Sequence, residues 1–174
     1  MIELFFYLSL CAYHKPIDMS IDKNQFRHLI QKTLHKMDMH SQDAVELLMG
    51  TAAQETKLGA YIYQLGGGPG MGFFQMEPST EKSLWENIIR RHPEIAEKLN
   101  TVCGVYGPGT DALETNISYM IAMARIRYLP AKPALPKHTD IQGLAEYYKT
   151  YYNTRKGKAT PEMFVANYER YCLP

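Results

Sequence analysis

Apolar side chains recur three and four positions apart over most of the chain, the period of helices that bury one face. Ser20 or Asp22 caps a first helix carrying Phe26, Leu29, Ile30, Thr33, Leu34 and Met37 on one side. Ser41 to Lys57 reads as a second, with Ala44, Leu47, Leu48, Thr51 and Ala52 as its stripe. Thr80 opens a third with Leu84, Trp85, Ile88 and Ile89, and Pro93 suits the first turn of a short fourth. Asp111 and Glu114 make a capping-box pattern ahead of Ile117, Met120, Ile121 and Ala124. Asp140 starts a helix that bears a cluster of tyrosines, and Thr160-Pro161-Glu162 starts the last, with Phe164, Val165, Tyr168 and Tyr171. The stretch from Pro130 to Pro136 is a stiff connector. There is no internal repeat and no low-complexity tract.

Two segments break the helical period. Leu58 to Leu65 is rich in β-branched and aromatic residues and runs into Gly66-Gly67-Gly68-Pro69-Gly70, then Met71-Gly72-Phe73-Phe74-Gln75-Met76-Glu77-Pro78. Short apolar runs around a Gly/Pro turn predict a β-hairpin or a tight paired loop. No Lys-Ser/Thr follows the glycines, so the run is not a nucleotide loop. The other exception is Ile2 to Tyr13, an apolar run too short to span a bilayer as a helix. No Lys or Arg precedes it and no small-x-small site follows, so a packed or anchoring segment is favoured over a cleaved leader. The chain thus divides into an apolar N-terminal segment, 1–18, and a domain over 19–174.

One residue violates the pattern it belongs to. The next member of the second helix's stripe is Glu55. A carboxyl on a core-facing side loses hydration, so its protonated form is favoured and its pKa rises. A carboxylic acid that stays protonated near neutral pH is what a general acid needs. The plainer alternative is a helix-end Glu that swings to solvent or pairs with a Lys or Arg.

The segment around it resembles a known family. Ala53-Gln54-Glu55-Thr56, a Gly-rich stretch, then Gly72-Phe73-Phe74-Gln75-Met76-Glu77-Pro78-Ser79-Thr80 is similar to the core of the lysozyme-like superfamily, nearest to soluble lytic transglycosylases and goose-type lysozymes. Downstream, Tyr152-Asn153 in Ala145 to Thr154 resembles the family's aromatic-Asn pair, and Thr115-Asn116-Ile117 resembles the start of the helix that closes the cleft. The resemblance spans roughly residues 41 to 160. It implies an α+β, mainly helical, lysozyme-like single domain with a small β-hairpin beside the cleft. It implies that Glu55 protonates a glycosidic oxygen, that Gln75 and Tyr152 hold the acid and the sugar, and that Asn153 binds a substrate group. Phe74 would line the cleft while Phe73 packs inside.

Two departures from the family pattern bear on the chemistry. Transglycosylases usually carry Ser after the acid; here Thr56 stands there and would take over its hydrogen bonding to the site. They usually carry Met two residues after the cleft Gln, whereas this chain has Glu77, and goose-type lysozymes carry Asp at that offset. A second carboxylate that activates water is the inverting hydrolase arrangement. Glu77 therefore tilts the reading toward hydrolysis, against the alternative that it faces solvent or caps the next helix.

Composition excludes several other classes. At 174 residues, 45% apolar and 21% charged, the chain can bury a core without disulfides or metals. A formal net charge of +1 makes nucleic acid a poor partner. Cys11, Cys103 and Cys172 show no metal-ligand spacing, are odd in number and read as free thiols; no H-E-x-x-H or G-x-S-x-G occurs, so neither metal nor other cofactor is expected. Lys149, Arg155, Lys156 and Lys158 form a basic cluster that meets peptide carboxylates or wall polymers, or is a solvated surface. The expectation is a glycosidase that cuts the β-1,4 bond between N-acetylmuramic acid and N-acetylglucosamine in peptidoglycan, by hydrolysis or lytic transglycosylation. By resemblance it acts on the cell wall, virion-borne alongside other virion proteins or exported. Two alternatives stay open: a catalytically inactive lysozyme-like virion structural or assembly protein, and a chitin or chitosan hydrolase.

Overall fold

A computed structural model describes residues 20–109, 111–153 and 157–173. The N-terminal segment 1–18 with its alternative readings, Cys11, and Arg155 and Lys156 of the basic cluster lie outside the described residues. The described chain is mainly helical: α1 Lys23–Lys36, α2 Gln42–Thr56, α3 Pro78–Asn87, α4 Pro93–Cys103, α5 Ala112–Thr115, α6 Ile117–Tyr128, α7 Ile141–Tyr148 and α8 Pro161–Cys172. A single 3-10 turn, Ile89–Arg91, follows α3, and a π-helical turn, Lys149–Asn153, extends α7.

Local chemistry sets most of these boundaries. Asp22, Ser41, Asp140 and Thr160 each accept a backbone N–H of the first turn that would otherwise lack a partner. α3 begins at Pro78, two residues ahead of the Thr80 expected from the apolar pattern, because proline fits the first helical position. The capping box expected at Asp111 and Glu114 does not form. Asp111 makes no side-chain cap bond, α5 ends after one turn, and Asn116 caps a fresh helix by accepting from the Tyr119 N–H.

α2 and α6 lie at the centre. α2 packs against α8, α1, α7 and α6, and every residue from Ala44 to Ala53 is buried, so it has no polar face over that span. Gly50 lets α8 approach: a Cβ there would fall 2.1 Å from the Phe164 ring. α6 divides two apolar clusters. Met120, Ile121, Ala124 and Tyr128 join α1, α2, α7 and α8 in one. Tyr119, Ala122, Met123 and Ile126 join Leu84, Trp85, Ile95 and Leu99 of α3 and α4 in the other.

The expected β-hairpin is absent among the described residues. Tyr63 pairs with Met71, and Met71 with Met76, as isolated antiparallel bridges in a tight paired loop. Extended strands cannot continue there because Gly72 and Gln75 take left-handed backbone conformations, φ +70° and +46°. Both Phe73 and Phe74 are buried against Phe26, so the expected split of one inside and one in the cleft is corrected. Cys103 and Cys172 are free thiols, half-buried and buried.

Candidate active site

Glu55 occupies the last turn of α2, where the helix runs out of the core. The chain turns sharply behind it: Lys57, Leu58 and Gly59 are all left-handed, φ +53°, +57° and +80°. Two of these are not glycine, and each costs about 1–2 kcal/mol relative to a right-handed residue. With Gln75, three of the four non-glycine residues at positive φ among the described residues therefore flank the same site. The Thr56 hydroxyl secures this turn from within, donating toward the Phe73 carbonyl (2.8 Å) and accepting the Gly59 N–H (2.9 Å).

The half-buried Glu55 carboxyl accepts one short hydrogen bond, 2.6 Å from the Tyr148 hydroxyl at the end of α7. Loss of hydration pushes the carboxyl up to about 7, while the Tyr148 hydrogen bond and the charge of Arg127 pull the other way. The neighbouring phenols cannot compete for the proton, since burial and the Glu55 charge raise Tyr148 and Tyr152 far above ordinary tyrosine. Near neutral pH the group is thus balanced between acid and carboxylate.

Glu55 opens on a cleft of about 700 Å³, shared with Gln75, Glu77, Arg127, Tyr152 and Asn153 among others. Five residues expected at the site therefore converge: Glu55, Gln75, Glu77, Tyr152 and Asn153. Their local roles differ from expectation. Gln75 Nε2 donates to the Ile62 and Gly72 carbonyls, both at 3.0 Å, and so braces the loop rather than the acid. Its Oε1 is buried without a hydrogen-bond partner. The Tyr152 hydroxyl donates to the Phe74 carbonyl at 2.9 Å. Asn153 Oδ1 accepts from Lys149 Nζ at 2.9 Å. Glu77 is exposed at the start of α3 and makes no side-chain cap bond to the helix backbone. Thr56 and Phe74 are the corrections. Thr56 is fully buried and Phe74 nearly so, and neither lines the cleft.

Three contributors escaped the sequence reading. Tyr148, not Tyr152, holds the acid. The two tyrosines lie one turn apart with rings 5.9 Å apart, and only the register of α7 against α2 decides which reaches Glu55. Tyr61 braces from the other side, its hydroxyl 2.6 Å from the Glu55 backbone carbonyl. Arg127 enters from the end of α6, donates to the Tyr152 carbonyl, and sits with Cζ 4.2 Å from the Tyr152 ring centroid. It did leave a signal, since it lies three residues past Ala124 on an apolar stripe, as Glu55 lies three past Ala52.

Two carboxylates that are buried outright show what distinguishes Glu55. Glu46 accepts from Arg27, Gln42 and Tyr168, with an Arg27 ion pair at 2.9 Å. Glu81 accepts from the Tyr119 hydroxyl at 2.6 Å and the Gly109 N–H at 3.1 Å. Both are closed networks away from the cleft. Glu55 alone of the three faces the cleft, where it can hand a proton to a group that enters. Comparison of the chain with protein-family models, with curated proteins and with solved structures finds no match in any of the three.

Proposed function

We propose that this chain is a lysozyme-like glycosidase that cleaves the β-1,4 bond between N-acetylmuramic acid and N-acetylglucosamine in peptidoglycan. The observation that carries the reading is Glu55: a carboxyl held by Tyr148 in the wall of an open cleft, with its pKa pushed up to about 7. Such a group protonates a leaving oxygen at neutral pH, the step that glycoside cleavage needs. Glu77 lines the same cleft from the start of α3 and supplies a second, exposed carboxylate. In the hydrolytic reaction Glu77 takes a proton from water as that water attacks the anomeric carbon, while Glu55 protonates the departing oxygen.

Digestion of purified peptidoglycan tests this reading. The expected products carry reducing ends, and Glu77→Gln slows their release while leaving glycan binding nearly intact. Anhydro ends, with Glu77→Gln as active as the parent, would make the chain a lytic transglycosylase. No cleavage at all would overturn the enzyme reading and favour a virion structural or assembly subunit.

A further inference from the structure

We propose that the outer face of α1 binds a linear, base-free phosphodiester polymer of the cell wall, at a site separate from the cleft. α1 carries Lys23, Arg27, Lys32 and Lys36 with His28 and His35, and no Asp or Glu, in a chain whose net charge is only +1. Phe26, Ile30, Thr33 and Leu34 take its core side, so His28, Lys32 and His35, at i, i+4 and i+7, share the exposed side. His40 returns from the α1–α2 connection and stacks on His35, with ring centroids 3.7 Å apart and planes inclined by 13°. Cations in the last turn suit the dipole of α1, which accounts for His35 and Lys36 but not for His28, Lys32 or His40.

These groups line an open hollow of about 540 Å³ that no carboxylate enters. A second hollow, of about 420 Å³, continues from His28 along Asn24, Gln25 and Leu29, and neither shares a residue with the cleft. The side chains of His28, Lys32, His35, Lys36 and His40 make no hydrogen bond or ion pair among the described residues. The carboxylates in the same stretch of chain are committed elsewhere. Asp22 caps α1, Asp38 pairs with Lys98, Asp43 with Lys137 and His138, and Glu46 with Arg27. Like charges left together repel, so this face gains most from an occupant that brings several negative charges in a row.

The shape and the residue types narrow that occupant. His28 to Lys36 spans about 12 Å of helix, too long for one compact ion. Lysine meets phosphate as a point charge, while the arginine fork that matches a carboxylate is missing from both hollows. No Phe, Tyr or Trp lines either hollow, and one face of the His35 ring is taken by His40, so bases have little to stack on. The imidazoles also make the face sensitive to acid. Loss of hydration and the charge of His35 hold the His40 imidazolium down. The other charged groups around the pair are Lys32 and Lys36, with His28, on α1, Asp38 with its Lys98, and Asp43 with Lys137 and His138. A polyanion laid over the pair offsets the repulsion, so binding takes up protons and tightens as the pH falls.

The test titrates labelled poly(glycerol phosphate) with the parent, Lys32→Gln/Lys36→Gln, His35→Gln/His40→Gln and Lys158→Gln, in rising salt at about pH 5.5 and about pH 7.5. The parent should bind more tightly at the lower pH. The lysine pair should weaken binding about tenfold and lower its salt slope by about 1–2. The histidine pair should lose most of the pH response, and Lys158→Gln, in the cleft, should change nothing. A lysine variant that binds like the parent, a pH response that survives the histidine change, or equal weakening by Lys158→Gln would overturn the site. Single-stranded DNA bound more tightly than a glycerol phosphate polymer of equal charge would overturn it in favour of a nucleic-acid partner. Peptidoglycan freed of such polymers should release glycan ends equally with the parent and the lysine variant. Cleavage without polymer binding overturns this inference alone; polymer binding without cleavage overturns the glycosidase reading alone.

Discussion

Glu55 carries a stability cost that changes with pH in a direction opposite to most carboxylates. Its folded-state pKa of about 7 lies above the ordinary 4.5, so the unfolded chain gives up this proton first. The fold therefore keeps its full stability below 4.5 and loses it as pH rises through about 7. The loss reaches about 3 kcal/mol, because each tenfold difference in proton affinity between the folded and unfolded chain is worth about 1.4 kcal/mol. Glu55→Gln should accordingly be neutral to stability in acid and stabilising above pH 7, read from urea midpoints on either side of neutrality. Its cleavage of peptidoglycan should fall by roughly 10²–10⁴. Tyr148→Phe removes a hydrogen bond that pulls the carboxyl down, so the high-pH limb of the rate profile should move up as the maximal rate drops. A variant whose limb moves down, or stays in place, would show that Tyr148 does not hold the acid.

At the scale of elements, α8 approaches α2 closely at Gly50. Gly50→Ala would drive a methyl into the buried Phe164 ring and should cost about 1–3 kcal/mol. Lys57→Gly works the other way. That exposed residue is left-handed without being glycine, so its replacement should gain about 1 kcal/mol in denaturant titration with activity kept. The same elements show what a sequence can carry. Caps at Asp22, Ser41, Asp140 and Thr160 were legible because each is a local hydrogen-bonding signal. The α5–α6 break at Asn116 was marked only through the resemblance of Thr115-Asn116-Ile117 to a helix start, and the choice of a paired loop over a hairpin was left open. The first depends on one cap winning over another, and the second on Gln75 taking a backbone shape that its residue type disfavours.

Over the whole molecule, two central helices deliver the acid and its cation to one cleft, Glu55 from the end of α2 and Arg127 from the end of α6. Glu55 was readable because a charge on an apolar stripe stands out in one dimension. Tyr148 was not, because choosing among neighbouring tyrosines requires knowing how α7 is turned against α2. Thr56 and Phe74 were misassigned for the same reason: the sequence places them near the acid but does not say that they face inward. The central claim is that Glu55 acts as a proton donor to a glycan bound in this cleft. The most direct measurement is the pH dependence of kcat/KM for release of glycan ends from purified peptidoglycan, with the parent and Glu55→Gln side by side. The account predicts a rate for the parent that declines above about 7 and a Glu55→Gln variant that is folded and nearly inactive throughout. A Glu55→Gln variant with the parent's rate and the parent's pH profile would contradict it.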